Sequence, residues 1–127
     1  MKSTETSHFW AGNFDSLESF TQLFVETYSD DDDAPISAFA QTQGETFYDH
    51  DFMEYGYSDD ADSVADLVAG YSYSDRWLDQ FTKLLDSAGL TDVNAFLFIS
   101  ESEIENAQSF ETETGGLTYL GKLKYKI

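Results

Sequence analysis

Three groupings of side chains in this sequence could do chemistry. Asp49, His50 and Asp51 set three ionisable groups in a row, and a histidine beside a carboxylate can serve as a general base or a metal ligand. Residues 30–33 are four consecutive Asp, an oxygen-rich run of the kind that hard cations such as calcium favour. Residues 48–73 interleave Tyr48, Tyr55, Tyr57, Tyr71 and Tyr73 with Asp49, Asp51, Glu54, Asp59, Asp60, Asp62 and Asp66. Tyrosine gives contact area with little loss of side-chain entropy, and carboxylates accept paired bonds from arginine, so this last pattern suits a basic protein partner.

Each grouping has a plainer reading beside it. If residues 49–51 are extended, Asp49 and Asp51 share one face while His50 points to the other, which is poor geometry for a catalytic set. The aspartate run lacks the alternating ligands, central glycine and closing glutamate of a calcium loop, and it is followed by Ala34 and Pro35, so a solvated loop or a secondary charge cluster facing a partner is expected. His8 sits among apolar residues and reads as a packed side chain. With no Cys, no serine elbow and no glycine-rich phosphate loop, a hydrolase using paired carboxylates is the only enzyme left, and in so acidic a chain such pairs arise by chance. The expectation is therefore a protein that is not an enzyme, with no catalytic residue, cofactor or metal. The tyrosines of residues 48–73 could be core and the acids a solvated face. Taken together the segment reads as an interface, chiefly Asp49, Asp51, Glu54, Tyr55, Tyr57, Asp59, Asp60 and Asp62.

The charge points the same way. The 127 residues carry 25 acidic and 6 basic side chains, a formal net of −19. Between residues 3 and 75 there are 17 acids and no Lys or Arg, whereas Lys122, Lys124 and Lys126 crowd into the last six positions. Solubility needs far less net charge, and self-repulsion on this scale opposes folding, so solvent or a partner must supply the missing positive charge. Nucleic acid is excluded as a direct ligand of the acidic face, and anionic membrane surfaces are disfavoured, because both need basic patches. No apolar run has the length of a signal peptide or approaches the roughly 18 residues of a membrane span. A cytoplasmic protein, monomeric or weakly dimeric when free, is expected.

The elements that must position these groups follow from hydrophobic period and capping. At 41% hydrophobic and 17% aromatic residues, the chain has enough apolar surface for one domain over residues 1–127. Residues 6–12 read as a short opening strand. Leu17, Phe20, Leu23, Phe24 and Tyr28 recur at helical steps behind the cap Ser16, predicting a helix through residue 28. An exposed loop is expected over residues 29–35, a helical turn from Ser37 to Gly44, and a strand or irregular edge over residues 47–57. Helices are expected over residues 62–69 and 75–88, ended by Gly70 and Gly89. The apolar run of residues 93–99 predicts a strand buried on both faces. Leu117, Tyr119, Leu123, Tyr125 and Ile127 alternate with Thr118, Lys122, Lys124 and Lys126, predicting a strand with one wet face, paired antiparallel with residues 103–113. The fold class is α+β, a single domain with a C-terminal antiparallel sheet packed by about three helices.

Several local patterns occur in a recognisable order. Trp10, Gly12, Phe14, Ser16 and Glu18 spell W-x-G-x-F-x-S-x-E; Tyr48, Asp49, Asp51, Phe52 and Glu54 spell Y-D-x-D-F-x-E; S-Y-S stands at residues 72–74, and Asn94-Ala95 opens the apolar strand. Over roughly residues 8–99 this resembles the immunity protein 22 family of bacterial polymorphic toxin and contact-dependent growth inhibition systems. The resemblance implies a non-enzymatic antidote that binds a cognate toxin domain and protects the producing cell. The charge adds that the toxin is a basic nuclease, whose substrate-binding surface an acidic inhibitor can occupy as a phosphate surrogate. Trp10 and Phe14 read as structural. Two other classes stay open at this stage: an acidic nucleic-acid mimic aimed at a host or phage enzyme, and an acidic salt-adapted protein of other function.

Overall fold

The computed structural model describes residues 3–28, 30 and 33–127. The first strand to emerge from the sequence occupies the middle of the sheet. β1 (Thr4–Phe14) is longer than the expected opening strand, and its residues 7–12 are all buried, so both faces and both edges need neighbours. β3 (Ala95–Ser100) pairs antiparallel with one edge, from Ser7↔Ser100 to Gly12↔Ala95. β5 (Gly115–Lys126) pairs with the other, from Thr4↔Lys126 to Phe14↔Gly115. With β2 (Met53–Tyr57) outside β3 and β4 (Phe110–Thr112) outside β5, the order is β2-β3-β1-β5-β4, antiparallel throughout. The α+β class holds, and the C-terminal hairpin is one edge of a sheet that spans the chain.

The main partner of β5 is thus β1, and only Phe110–Thr112 of the expected partner segment pairs with it. The rest of that segment crosses a sheet face instead. It opens with a 3-10 turn at Glu101–Glu103, buries Ile104, and uses the carbonyl of Gln108 to accept the Trp10 indole N–H at 2.9 Å.

Among the described residues four helices cover the two faces. On one side α1 (Leu17–Thr21), a 3-10 turn at Gln22–Phe24 and α2 (Ala38–Thr42) bring Phe20, Leu23, Phe24 and Phe39 onto Trp10, Phe14, Leu97 and Ile99. On the other, α3 (Val64–Val68) and α4 (Ser74–Ala88) bring Leu67, Val68, Trp77, Phe81 and Leu85 onto Phe9, Phe96 and Phe98. Ser16, Ser37 and Ser63 each cap a helix, the hydroxyl accepting the backbone N–H three residues on, which satisfies a donor that the helix itself leaves unpaired.

The helix expected through residue 28 stops at Phe24. Val25 turns to extended backbone, and the Thr27 N–H donates to the Ile36 carbonyl at 2.8 Å. Tertiary pairing together with the β-branched Val25 and Thr27 outweighs the helical spacing. Of the acidic loop expected over residues 29–35, Ser29, Asp31 and Asp32 lie outside the described residues, while Asp30 and Asp33 are exposed.

β5 also departs from the expected single wet face. Trp10 pairs with Tyr119 and Phe9 with Gly121, leaving Leu120 as an extra residue, and Gly121 adopts φ +111°, a backbone conformation that glycine tolerates best. This bulge reverses the strand's facing. Leu117 and Tyr119 join the α1 side, whereas Leu123 and Tyr125 join the α4 side, so Lys122, Lys124 and Lys126 face away from the α4 core.

Candidate functional site

Among the described residues β2 is an edge strand, paired only with β3. The residues expected at an interface lie on it and around it, and its pleat divides them. Tyr55 and Tyr57 face the α1 side, where Tyr55 stacks on Phe24 at 3.9 Å between ring centroids and Tyr57 on Phe20 at 6.2 Å. Both are part of that core and only partly exposed. Glu54 faces the α4 side, where its Oε1 accepts the Ser72 N–H at 3.0 Å. Asp59, Asp60 and Asp62 are exposed beyond the far end of β2, with the Ser58 hydroxyl donating to Asp60 Oδ1 at 2.8 Å. At about 3.3 Å per residue the two ends of β2 stand roughly 13 Å apart, so the acids form two clusters flanking a strand.

Before β2 the chain makes a 3-10 turn at His50–Phe52, not an extended run. Asp49 caps this turn, its Oδ1 accepting the Asp51 N–H at 2.9 Å, while its own N–H donates to Glu103 Oε1 at 2.8 Å. His50 sits between two carboxylates, with Nδ1 at 3.0 Å from Glu26 Oε2 and Nε2 at 3.4 Å from Asp51 Oδ1. The imidazole is well exposed, which leaves nothing to exclude water from it. Among the described residues no three His, Asp or Glu side chains converge as metal ligands. Tyr48, by contrast, is core: it is buried, its hydroxyl shares a 2.9 Å hydrogen bond with Ser37 Oγ, and burial pushes its phenol up to about 12. His8 is packed as expected, Nδ1 at 2.7 Å from the Tyr119 hydroxyl and Nε2 at 2.9 Å from the Ile104 carbonyl.

Sequence reasoning did not place Glu5 or Phe52 at the interface, and it named Tyr73 in the tyrosine-rich stretch without counting it among the chief residues. On the α4 side, Glu5 of β1, Phe52 and Tyr73 line a cleft of 180 Å³ together with Asp51 and Glu54. Phe52 is 58% exposed and Tyr73 47% exposed. Tyr73 precedes α4 in the left-handed conformation, φ 58° and ψ 23°, the one non-glycine residue with positive φ among those described. Nothing local in the sequence marks Glu5 as a neighbour of residues nearly fifty positions away.

The family model for Immunity protein 22 matches residues 8–126, nearly the whole chain. The chain belongs to the Immunity protein 22 family. An immunity protein neutralises a toxin by binding it, and the immunity families are in general not enzymes. No curated protein and no solved structure matches the chain. Among the described residues of this Immunity protein 22 member, no helix is long and apolar enough to cross a membrane.

The motif residues of this Immunity protein 22 chain divide by role. Trp10 and Phe14 are buried, Gly12 lies against the Gly116 backbone, and Ser16 is a helix cap, so the first motif builds the fold. In the second, Tyr48 packs in the core and Asp49 caps the turn, whereas Asp51, Phe52 and Glu54 reach the surface beside Tyr73.

Proposed function

We propose that this immunity protein acts on a basic, nucleic-acid-cleaving toxin domain, and that it does so by setting the carboxylates flanking β2 against the toxin's substrate-binding surface. The observation that carries this reading is uncompensated charge. With a net of −19, the described residues hold only four close contacts between oppositely charged or chargeable side chains: His50 with Glu26 and with Asp51, Arg76 with Asp75, and Lys122 with Glu101. Asp59, Asp60, Asp62 and Glu54 are in none of them. An acidic surface left open in this way raises the association rate with a basic protein and matches a groove evolved to hold phosphates.

The partner is the cognate toxin domain, and the site comprises Asp49, Asp51, Glu54, Asp59, Asp60 and Asp62, with Tyr55 and Tyr57 contributing their exposed edges. The protein works in the cytoplasm of the producing cell as a monomer or weak dimer, without cofactor or metal. Co-expression with the product of the gene upstream tests the reading directly. The expected result is a stable complex, nuclease activity in the toxin alone, and loss of that activity in the complex. A toxin that forms the complex but cuts neither DNA nor RNA would remove the nuclease. Unchanged neutralisation by the variant carrying Asp59→Lys, Asp60→Lys and Asp62→Lys would move the interface elsewhere.

A further inference from the structure

The cleft on the α4 side lies where the start of β1 and the ends of β3 and β5 run past Tyr73. Its 180 Å³ is below the ~300–1,000 Å³ of small-molecule sites, and is of the size that a single long side chain fills. We propose that it receives one arginine side chain from the protein partner, the guanidinium lying between the carboxylates of Glu5 and Glu54 and against the rings of Tyr73 and Phe52. This rests on the reading of the chain as an antidote to a basic toxin, and it assigns to that contact a specific receptor.

The case begins with charge that the chain does not itself satisfy. Glu5 Oε1 accepts the Ser100 hydroxyl at 2.8 Å and Glu54 Oε1 accepts the Ser72 N–H at 3.0 Å. Each carboxylate is thus oriented by one neutral donor, while its Oε2 has no hydrogen-bond partner and neither glutamate has an ion pair among the described residues. The third acid is Asp51, whose carboxylate among the described residues meets only the His50 imidazole, at 3.4 Å. Among the described residues, Lys124 and Lys126 are turned away from the cleft, since they alternate with Tyr125 along β5 and face the opposite side. Glu5 pairs with Tyr125 across β1 and β5, and burial pushes the Tyr125 phenol up against the opposing pull of its Ser7 hydrogen bond, with the charges of Glu5 and Glu54 adding to the rise.

The aromatic wall selects among cations. Phe52 makes no ring contact with another aromatic side chain, and Tyr73 touches only Tyr125, at 6.3 Å. Exposed rings beside free carboxylates stabilise a cation by its attraction to the ring face as well as by charge. A guanidinium is flat enough to lie on a ring, is more weakly hydrated than an ammonium, and presents paired N–H donors to carboxylates, so arginine fits the cleft better than lysine. The left-handed backbone of Tyr73 is unfavourable for any residue with a Cβ, and in return it holds the ring at the cleft mouth.

A titration of the 15N-labelled full chain with N-acetyl-arginine methylamide, against the lysine and glutamine analogues at constant ionic strength, tests the proposal. Saturable amide shifts are expected at Glu5, Ser72, Tyr73 and Ser100 with the arginine probe, weaker ones with lysine and none with glutamine. Glu54→Gln and Tyr73→Gly should each weaken arginine binding about fivefold or more, the effect of losing one cation–ring or charge-assisted contact. Tyr73→Gly should also raise the melting temperature, because glycine relaxes the left-handed residue, so loss of binding in that variant is not loss of fold. Equal binding of lysine and arginine, shifts spread evenly to Asp59, Asp60 and Asp62, or indifference to both substitutions would overturn the receptor. The toxin complex would then stand on its own co-purification test. A saturable arginine site without a toxin complex would sink the antidote reading and leave the cleft.

Discussion

Glu54 and Tyr55 are adjacent in sequence and serve opposite faces of one strand. The Glu54 carboxylate accepts the Ser72 N–H on the α4 side, and the Tyr55 ring lies on Phe24 on the α1 side, with 13° between the ring planes. A substitution at one position therefore tests surface charge, and at the other it tests packing.

Tyr55→Ala should destabilise the chain by about 2–3 kcal/mol, since it removes a stacked ring from a core that cannot fully close over it. Tyr55→Phe should be nearly neutral, and Glu54→Gln should change stability by less than about 1 kcal/mol. Urea unfolding of the three variants checks the division. An Ala variant as stable as the parent would return Tyr55 to the free surface.

Gly12→Ala should be among the most damaging single changes, about 3 kcal/mol or more. A Cβ at that position would stand 1.9 Å from the Gly116 carbonyl oxygen and 2.9 Å from its carbon, both backbone atoms of the adjacent strand. Thermal unfolding provides the readout, and a melting temperature unchanged from the parent would mean that β1 and β5 separate easily there.

Deletion of Leu120 should remove the bulge and leave the chain folded, with a modest loss of stability from the contact that Leu120 makes with the α4-side core. Gly121 then follows Tyr119 directly and keeps its pairing with Phe9, so Leu123 and Tyr125 stay on the α4 side while Lys122, Lys124 and Lys126 stay on the other. A retained near-ultraviolet circular dichroism spectrum and a sharp, somewhat lower thermal transition are expected; loss of both would mean that the bulge itself is required for folding.

Alkaline pH should destabilise the chain through Tyr48. Its phenol titrates near 10 when unfolded and at about 12 when folded, so the folded state retains a proton that the unfolded state has lost. The stabilisation is complete below pH 10 and disappears as pH rises through 12, with a slope of at most about 1.4 kcal/mol per pH unit. Tyr48→Phe should flatten this part of the pH profile while costing about 1 kcal/mol at neutral pH for the lost hydrogen bond to the Ser37 hydroxyl, which keeps only the Ala40 N–H.

Salt should act oppositely on the free chain and on its complex. Screening of the −19 net charge should raise the melting temperature between 0.01 M and 0.15 M salt, as the Debye length falls from about 30 Å to about 8 Å, while slowing association with a basic toxin. Replacement of Asp59, Asp60 and Asp62 by Lys should likewise stabilise the free chain and weaken the complex. A melting temperature independent of salt would show that the acids do not repel one another appreciably.

Much of this protein is legible from local signals. Ser16, Ser37 and Ser63 cap helices because a hydroxyl and the N–H three residues on find each other without help from the rest of the chain. The run before Ile99 becomes a strand buried on both faces, and α4 places Trp77, Phe81 and Leu85 on one side, because hydrophobic period and burial coincide there. Membership of the Immunity protein 22 family and the excess of acid were also present in the order and types of residues. Tertiary structure decided where the first helix ends, because the bond from Thr27 to Ile36 competes with helical spacing. It decided the facing of β5, where the apolar residues keep to odd positions on either side of Leu120-Gly121 and the extra residue shows only once β1 supplies the register. It also decided the candidate site, dividing Glu54 from Tyr55 across a sheet and bringing Glu5 and Tyr73 to one cleft. Periodicity reports which residues share a face only within one element, while the neighbours of that face come from strand pairing between segments far apart in the chain.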